Sequence, residues 1–186
     1  MTIDTCDIEG LLIIKPRIFE DERGYFFESF NEKKFQVQCK LQSRFVQDNE
    51  SFSTYGTVRG LHYQKPPYGQ AKLVRVISGT VLDVVVDIRS ESPTFGKHFS
   101  IELSAENKTQ LYVPVGFAHG FVVLSKDALF SYKVDNYYNG DSDSGILWND
   151  VQFNIDWKLN AKDIMLSEKD KSQQSFSDYC KHSIFQ

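Results

Sequence analysis

Short runs of strand-forming residues, broken by turn residues at fairly even intervals, constrain this chain more than any other feature. They lie at Leu11–Lys15, Gly24–Phe30, Phe45–Asn49, Val58–Gln64, Ala71–Ile77, Thr80–Ile88, His98–Leu103, Gln110–Val113, Gly120–Leu124 and Ala128–Asn136. Such a series, with little helical signal between its members, is the pattern of a β-sandwich or barrel. Aromatic residues make up 14% of the chain and favour pleated, half-buried surfaces, which points the same way. Ser78-Gly79 reads as a two-residue hairpin turn between two runs. Helical signal is confined to Asn31–Phe35 and to the polar tail beyond Trp157, where short helices are expected outside the barrel. With 186 residues and no internal repeat, one all-β domain over 1–186 is expected, its tail from about residue 172 peripheral.

Strand alternation places side chains on shared faces. Lys72 falls with Val74 and Val76, Asp83 with Val81 and Val85, and Tyr132 with Phe130 and Val134. A polar group on a core-facing side must be paired or functional. Three strands with this feature imply a barrel whose interior is partly polar and able to hold a ligand.

Charge narrows the ligand. The net charge is −4, which lacks the basic footprint of a nucleic-acid binder, so an anionic ligand needs a local cluster of Arg and Lys. Cys6, Cys39 and Cys180 are odd in number and far apart, the usage of a reducing compartment. The opening MTIDTCDIEG does not match a signal peptide, and no apolar run approaches the roughly 18–20 residues that span a bilayer. A cytoplasmic protein without membrane contact is expected.

Two stretches carry the chemistry. Val113–Phe121 contains Pro114-x-Gly116-x-x-His119, which resembles the second motif of the cupins, small jelly-roll β-barrels. The first cupin motif supplies two histidines, an acid and a glycine. The matching region here is His62-Tyr63-Gln64, then Lys72 and Gly79, so Gln replaces the second histidine and Lys the acid. A lysine ammonium repels a divalent ion, and His62 with His119 makes only two ligands, which argues against a metal site. His98 and His182 have no supporting pattern and read as surface residues.

Within the cupins, the chain resembles the metal-free dTDP-4-dehydrorhamnose 3,5-epimerase family. The resemblance rests on PRIFEDERGYFFESFN, FVQDNESFS, VRGLHYQ, KLVRVISGTVLDVVVDIR, SAENKTQLYVPVGFAHGFVVLS, FSYKVDNYY and LSEKD, in this order along the chain. It implies a cupin-type jelly roll, no cofactor, and inversion of C3 and C5 beside the C4 ketone of dTDP-4-dehydro-6-deoxy-D-glucose, on the way to dTDP-L-rhamnose. Such inversion needs a base on one face of the sugar, a stabilised enolate and an acid on the other face.

By this resemblance His62 is the base, Asp170 its orienting partner, Tyr132 the opposing acid and Lys72 the cation at the enolate oxygen. Arg23, Arg59, His119 and Lys169 match positions that hold the nucleotide and sugar. Gln47, Asn49 and Glu28 match hydrogen-bonding positions, and Phe26 and Tyr138 match thymine-stacking positions. Asp143 stands where relatives commonly carry Glu. Several of these residues also have plainer readings. Ser167-x-x-Asp170 is a helix capping box, Lys72 a snorkelling lysine, and Tyr132, Phe26 and Gln47 ordinary strand residues. Asp83 is a candidate partner for Lys72 or His119.

Strict alternation puts Arg59 and His62 on opposite faces, so a bulge at Gly60 is required if both serve one site. The resemblance further implies a homodimer, in which Arg23, Phe26 and Glu28 reach the neighbour's pocket. The competing readings are an epimerase of a single centre and a non-catalytic cupin that binds a sugar nucleotide.

Overall fold

The computed structural model describes all residues 1–186. Its strands in chain order are β1 (Thr2–Thr5), β2 (Leu12–Lys15), β3 (Ile18–Asp21), β4 (Gly24–Phe27), β5 (Gln47–Thr54), β6 (Val58–Gln64), β7 (Lys72–Ser78), β8 (Thr80–Asp87), β9 (His98–Ser104), β10 (Gln110–Val113), β11 (Phe117–Val123), β12 (Asp127–Val134) and β13 (Asp143–Gly145). Two antiparallel sheets face each other as the expected jelly roll. One has the order β1-β2-β10-β7-β12-β5 and the other β13-β6-β11-β8-β9, while β3 and β4 form a separate two-stranded ribbon.

Between the sheets lies an apolar core that includes Val74, Val76, Val81, Val85, Phe121 and Phe130. The alternate residues of β8, Leu82, Val84 and Val86, face the other way and are equally buried. They are covered by the C-terminal segment, whose Phe153, Trp157, Phe176, Tyr179 and Phe185 complete a second core. The Tyr179 hydroxyl donates to the Ile88 carbonyl at 2.6 Å. The tail therefore carries the expected short helices, α2 (Glu168–Lys171) and α3 (Phe176–Lys181), and also closes one face of the barrel.

The structure corrects several expectations. Strands β7 and β8 belong to different sheets, so Ser78-Gly79 is the point where the chain crosses between them and not a hairpin of paired neighbours. Gly79 has φ +82°, and an added Cβ would meet the Asp127 carbonyl oxygen at 2.1 Å. The first helix, α1, runs over Glu32–Cys39, capped by the Asn31 side chain and ended by Lys40 in the left-handed conformation. Its Phe35 packs on Leu73 and Tyr112, covering the outer face of the six-stranded sheet. Gly24–Phe30 contributes only Gly24–Phe27 as strand. His98 is partly buried on β9, whereas His182 is exposed. The strands at 2–5, 18–21 and 143–145 are too short and polar for alternation to reveal.

Candidate active site

The bulge required at Gly60 is present. His119 on β11 lies opposite His62, and Phe121 opposite Arg59, so three steps along β6 span two along β11. The extra residue resets the alternation and brings Arg59 and His62 to one cavity. Only glycine suits this point: Gly60 has φ +139°, and an added Cβ would meet Gly120 Cα at 2.5 Å.

That cavity, of about 160 Å³, is lined by Ser51, Arg59, His62, Lys72, His119, Phe121, Phe130 and Tyr132. A second hollow shares His62, Lys72 and Tyr132 and adds Tyr138, Asp143 and Lys169. The three shared residues form the waist between the two hollows. His62 projects from the five-stranded sheet, and Lys72 and Tyr132 from the sheet opposite. The waist thus offers an imidazole on one side and a phenol on the other.

His62 Nε2 is bonded to Asp170 Oδ1. The carboxylate arrives on α2, whose N-cap Ser167 accepts from the Asp170 backbone N–H at 3.1 Å and donates its hydroxyl to Asp170 Oδ2 at 2.8 Å. The capping box and the histidine partner are therefore one arrangement: the cap holds α2 and aims Asp170. Burial works to raise the Asp170 pKa, but the His62 and Ser167 hydrogen bonds and the charges of His62 and Lys169 outweigh it and leave the carboxyl below its usual range.

Burial lowers the Lys72 pKa to about 8 against the opposing pull of Asp83 and Asp143. Burial raises the Tyr132 pKa, so the phenol keeps its proton at neutral pH. His119 Nε2 is bonded to both oxygens of the fully buried Asp83, at 3.0 and 2.9 Å. Burial lowers the His119 pKa, with Asp83 opposing. Tyr138 donates to Asp143 Oδ2 at 2.9 Å, and Lys169 is paired with the same carboxylate oxygen. No group of three or more His, Cys, Asp or Glu side chains is arranged to hold a metal ion.

Gln47 and Asn49 stand on the inward face of β5, joined by a 2.9 Å hydrogen bond, and the Gln47 side-chain oxygen accepts from the Tyr138 N–H. Arg59 donates to Ser53 Oγ at 2.9 Å. Arg23, Phe26 and Glu28 do not line the cavity of their own chain. Arg23 and Phe26 belong to the β3–β4 ribbon, where Arg23 pairs with Asp21 and Phe26 is 70% exposed. Glu28 pairs with Lys34 at the start of α1. The cavity also takes in Ser51, which no motif marks, and of the two candidate partners of Asp83 it is His119 that it bonds. The signal for Ser51 was the polar alternation Gln47, Asn49, Ser51, Ser53 along β5.

Comparison with known proteins gives the family. The sequence model of dTDP-4-dehydrorhamnose 3,5-epimerases matches residues 5–178. The chain belongs to this family. The Shigella flexneri dTDP-4-dehydrorhamnose 3,5-epimerase is 52% identical over 178 residues, 96% of this chain and 97% of that protein. The crystal structure of the Elizabethkingia anophelis epimerase of this family is 54% identical with TM-score 0.92, covering 96% of this chain and 97% of that one. The Legionella pneumophila dTDP-6-deoxy-D-glucose-3,5-epimerase, solved in complex with dTDP-4-keto-L-rhamnose, is 45% identical with TM-score 0.95, covering 100% of this chain and 97% of that one.

Proposed function

We propose that this epimerase inverts C3 and C5 of dTDP-4-dehydro-6-deoxy-D-glucose, giving dTDP-4-dehydro-L-rhamnose for dTDP-L-rhamnose biosynthesis. The observation that carries the reading is the waist, with His62 of one sheet backed by Asp170 of α2, and Tyr132 with Lys72 on the sheet opposite. His62 takes the proton from the carbon beside the ketone. The electron pair of that bond moves into the carbonyl, and the enolate oxygen forms beside the Lys72 ammonium. Tyr132 then delivers a proton to the opposite face, which inverts the centre. Asp170 fixes the ring of His62 and stabilises its protonated form.

Arg59, His119 and Lys169 supply cationic or hydrogen-bonding groups for the diphosphate and sugar, with Gln47 and Asn49 beside them. Tyr138 stacks on the thymine, next to Asp143. A second copy of the chain completes the assembly through the β3–β4 ribbon, whose Phe19, Tyr25 and Phe26 are 51%, 56% and 70% exposed. Exposed aromatics of this kind suit burial against a partner, and this would carry Arg23 and Phe26 towards the neighbour's site. The three cysteines are unpaired, as suits the cytoplasm, and no helix is long and apolar enough to cross a membrane.

The test is incubation with the keto sugar in D₂O, followed by mass and NMR analysis. Deuterium is expected at both C3 and C5 with wild type. With His62→Ala the exchange falls by roughly 10³-fold, within the span of a lost general base. Exchange at one carbon only would assign the chain to single-centre epimerases, and none at all would leave a binding protein.

A further inference from the structure

We propose that Ser51 is a direct contact of the sugar ring, its hydroxyl hydrogen-bonded to a ring substituent oxygen of the bound substrate; this rests on the cavity being the sugar site. Strand β5 presents Gln47, Asn49, Ser51 and Ser53 inward and Asp48, Glu50, Phe52 and Thr54 outward. Three of the inward residues are satisfied within the protein: Gln47 with Asn49, and Ser53 by Arg59. Ser51 is not. Its Oγ is the one buried side-chain nitrogen or oxygen in the chain without a hydrogen-bond partner.

A buried hydroxyl left unpaired is destabilising and rare. Ser51 lines the cavity alongside Lys72, His119 and Tyr132. It lies opposite Phe130 and two pairs along from Asn49–Tyr132, on the same face of the sheet. The neighbouring Phe121 and Phe130 rings, stacked at 4.2 Å, offer it nothing to bond. A substrate oxygen in the cavity that Ser51 lines would supply the missing partner. A 4-keto-6-deoxy hexose carries oxygens on adjacent ring carbons, and any of them fits a serine hydroxyl, which both donates and accepts. A contact of this kind holds the ring in register between His62 and Tyr132.

The test is Ser51→Ala, with three readouts beside wild type: kcat/KM for dTDP-4-dehydro-6-deoxy-D-glucose, calorimetric affinity for dTDP, and melting temperature of the ligand-free protein. The expected result is a loss of about tenfold or more in kcat/KM, the scale of one hydrogen bond. Affinity for dTDP stays unchanged, and the melting temperature does not fall, because the variant removes an unpaired group. A merely structural serine would lower the melting temperature instead, and that result overturns the assignment. So does an unchanged kcat/KM, or an equal loss of dTDP affinity. Wild type that exchanges no deuterium sinks the epimerase reading itself; active wild type with an unaffected Ser51→Ala sinks only the role of Ser51.

Discussion

Two histidine–aspartate pairs stand at facing positions of one sheet, and they are built for different work. His62 and His119 are register partners across β6 and β11. His62 keeps 29% of its side chain accessible, while His119 keeps 7%. The partner of His62 comes from a short helix in the tail, and that of His119 from β8 beside it in the same sheet. A base must meet its substrate, so one side of His62 stays open to the waist. His119 and Asp83 are locked between sheets, where a rigid charged group helps hold Lys72 protonated. The same two residue types thus stand in an open pair in one place and a closed pair in the other, and under the proposed mechanism the open pair is the one suited to proton transfer.

Substitutions at the two carboxylates separate these roles most sharply. Asp170→Asn keeps the volume but removes the charge behind His62, and kcat should fall roughly 10²-fold with the fold retained. Steady-state kinetics and a melting curve check it; a full loss of folding would mean that Asp170 acts chiefly through the Ser167 cap. Asp83→Asn should instead cost mainly stability, about 1–3 kcal/mol, because it weakens a buried charge-assisted bond. Its activity loss near neutral pH should be the smaller of the two. A reversed order in denaturant titration and kinetics would break the division of labour between the pairs.

The smallest effect is a pH dependence in wild type. In the proposed mechanism Lys72 carries its proton to stabilise the enolate, and burial lowers its pKa from an ordinary 10.5 to about 8. Exchange should fall about tenfold per pH unit above that value. The stability contribution of the same group has the opposite sign. Between the folded and unfolded pKa values the unfolded chain binds the extra proton, so this contribution rises with pH as activity falls. Asp83 raises the Lys72 pKa, so Asp83→Asn should move the activity limb to lower pH. Profiles of deuterium exchange for the two proteins that superimpose would show that Asp83 does not act through Lys72.

Much of the site was legible as side-chain alternation. Lys72 with Val74, Asp83 with Val81 and Tyr132 with Phe130 all face the interior as their spacing requires. The conflict between Arg59 and His62 was legible too, and so was its remedy, because Gly60 is the residue that tolerates the bulge. The pairing of strands was not. Ser78-Gly79 has the composition of a hairpin turn, yet it links two sheets, since turn chemistry says how the backbone bends and not which neighbour each strand then finds. The tail hid its role for a related reason. Phe153, Trp157, Phe176, Tyr179 and Phe185 are scattered among polar residues without a period, so only the surface that they cover reveals them as core.

The sequence by itself determined the class of fold, the polar lining of the barrel and the family, because strand period, turn residues and ordered motifs are local properties of the chain. Tertiary structure alone decided that the Ser167 cap aims Asp170 at His62, that Asp83 bonds His119 and not Lys72, and that the hydroxyl of Ser51 is left without a partner. Each of these is a relation between elements remote in sequence. Such relations come into being only when the sheets close and water is excluded from between them.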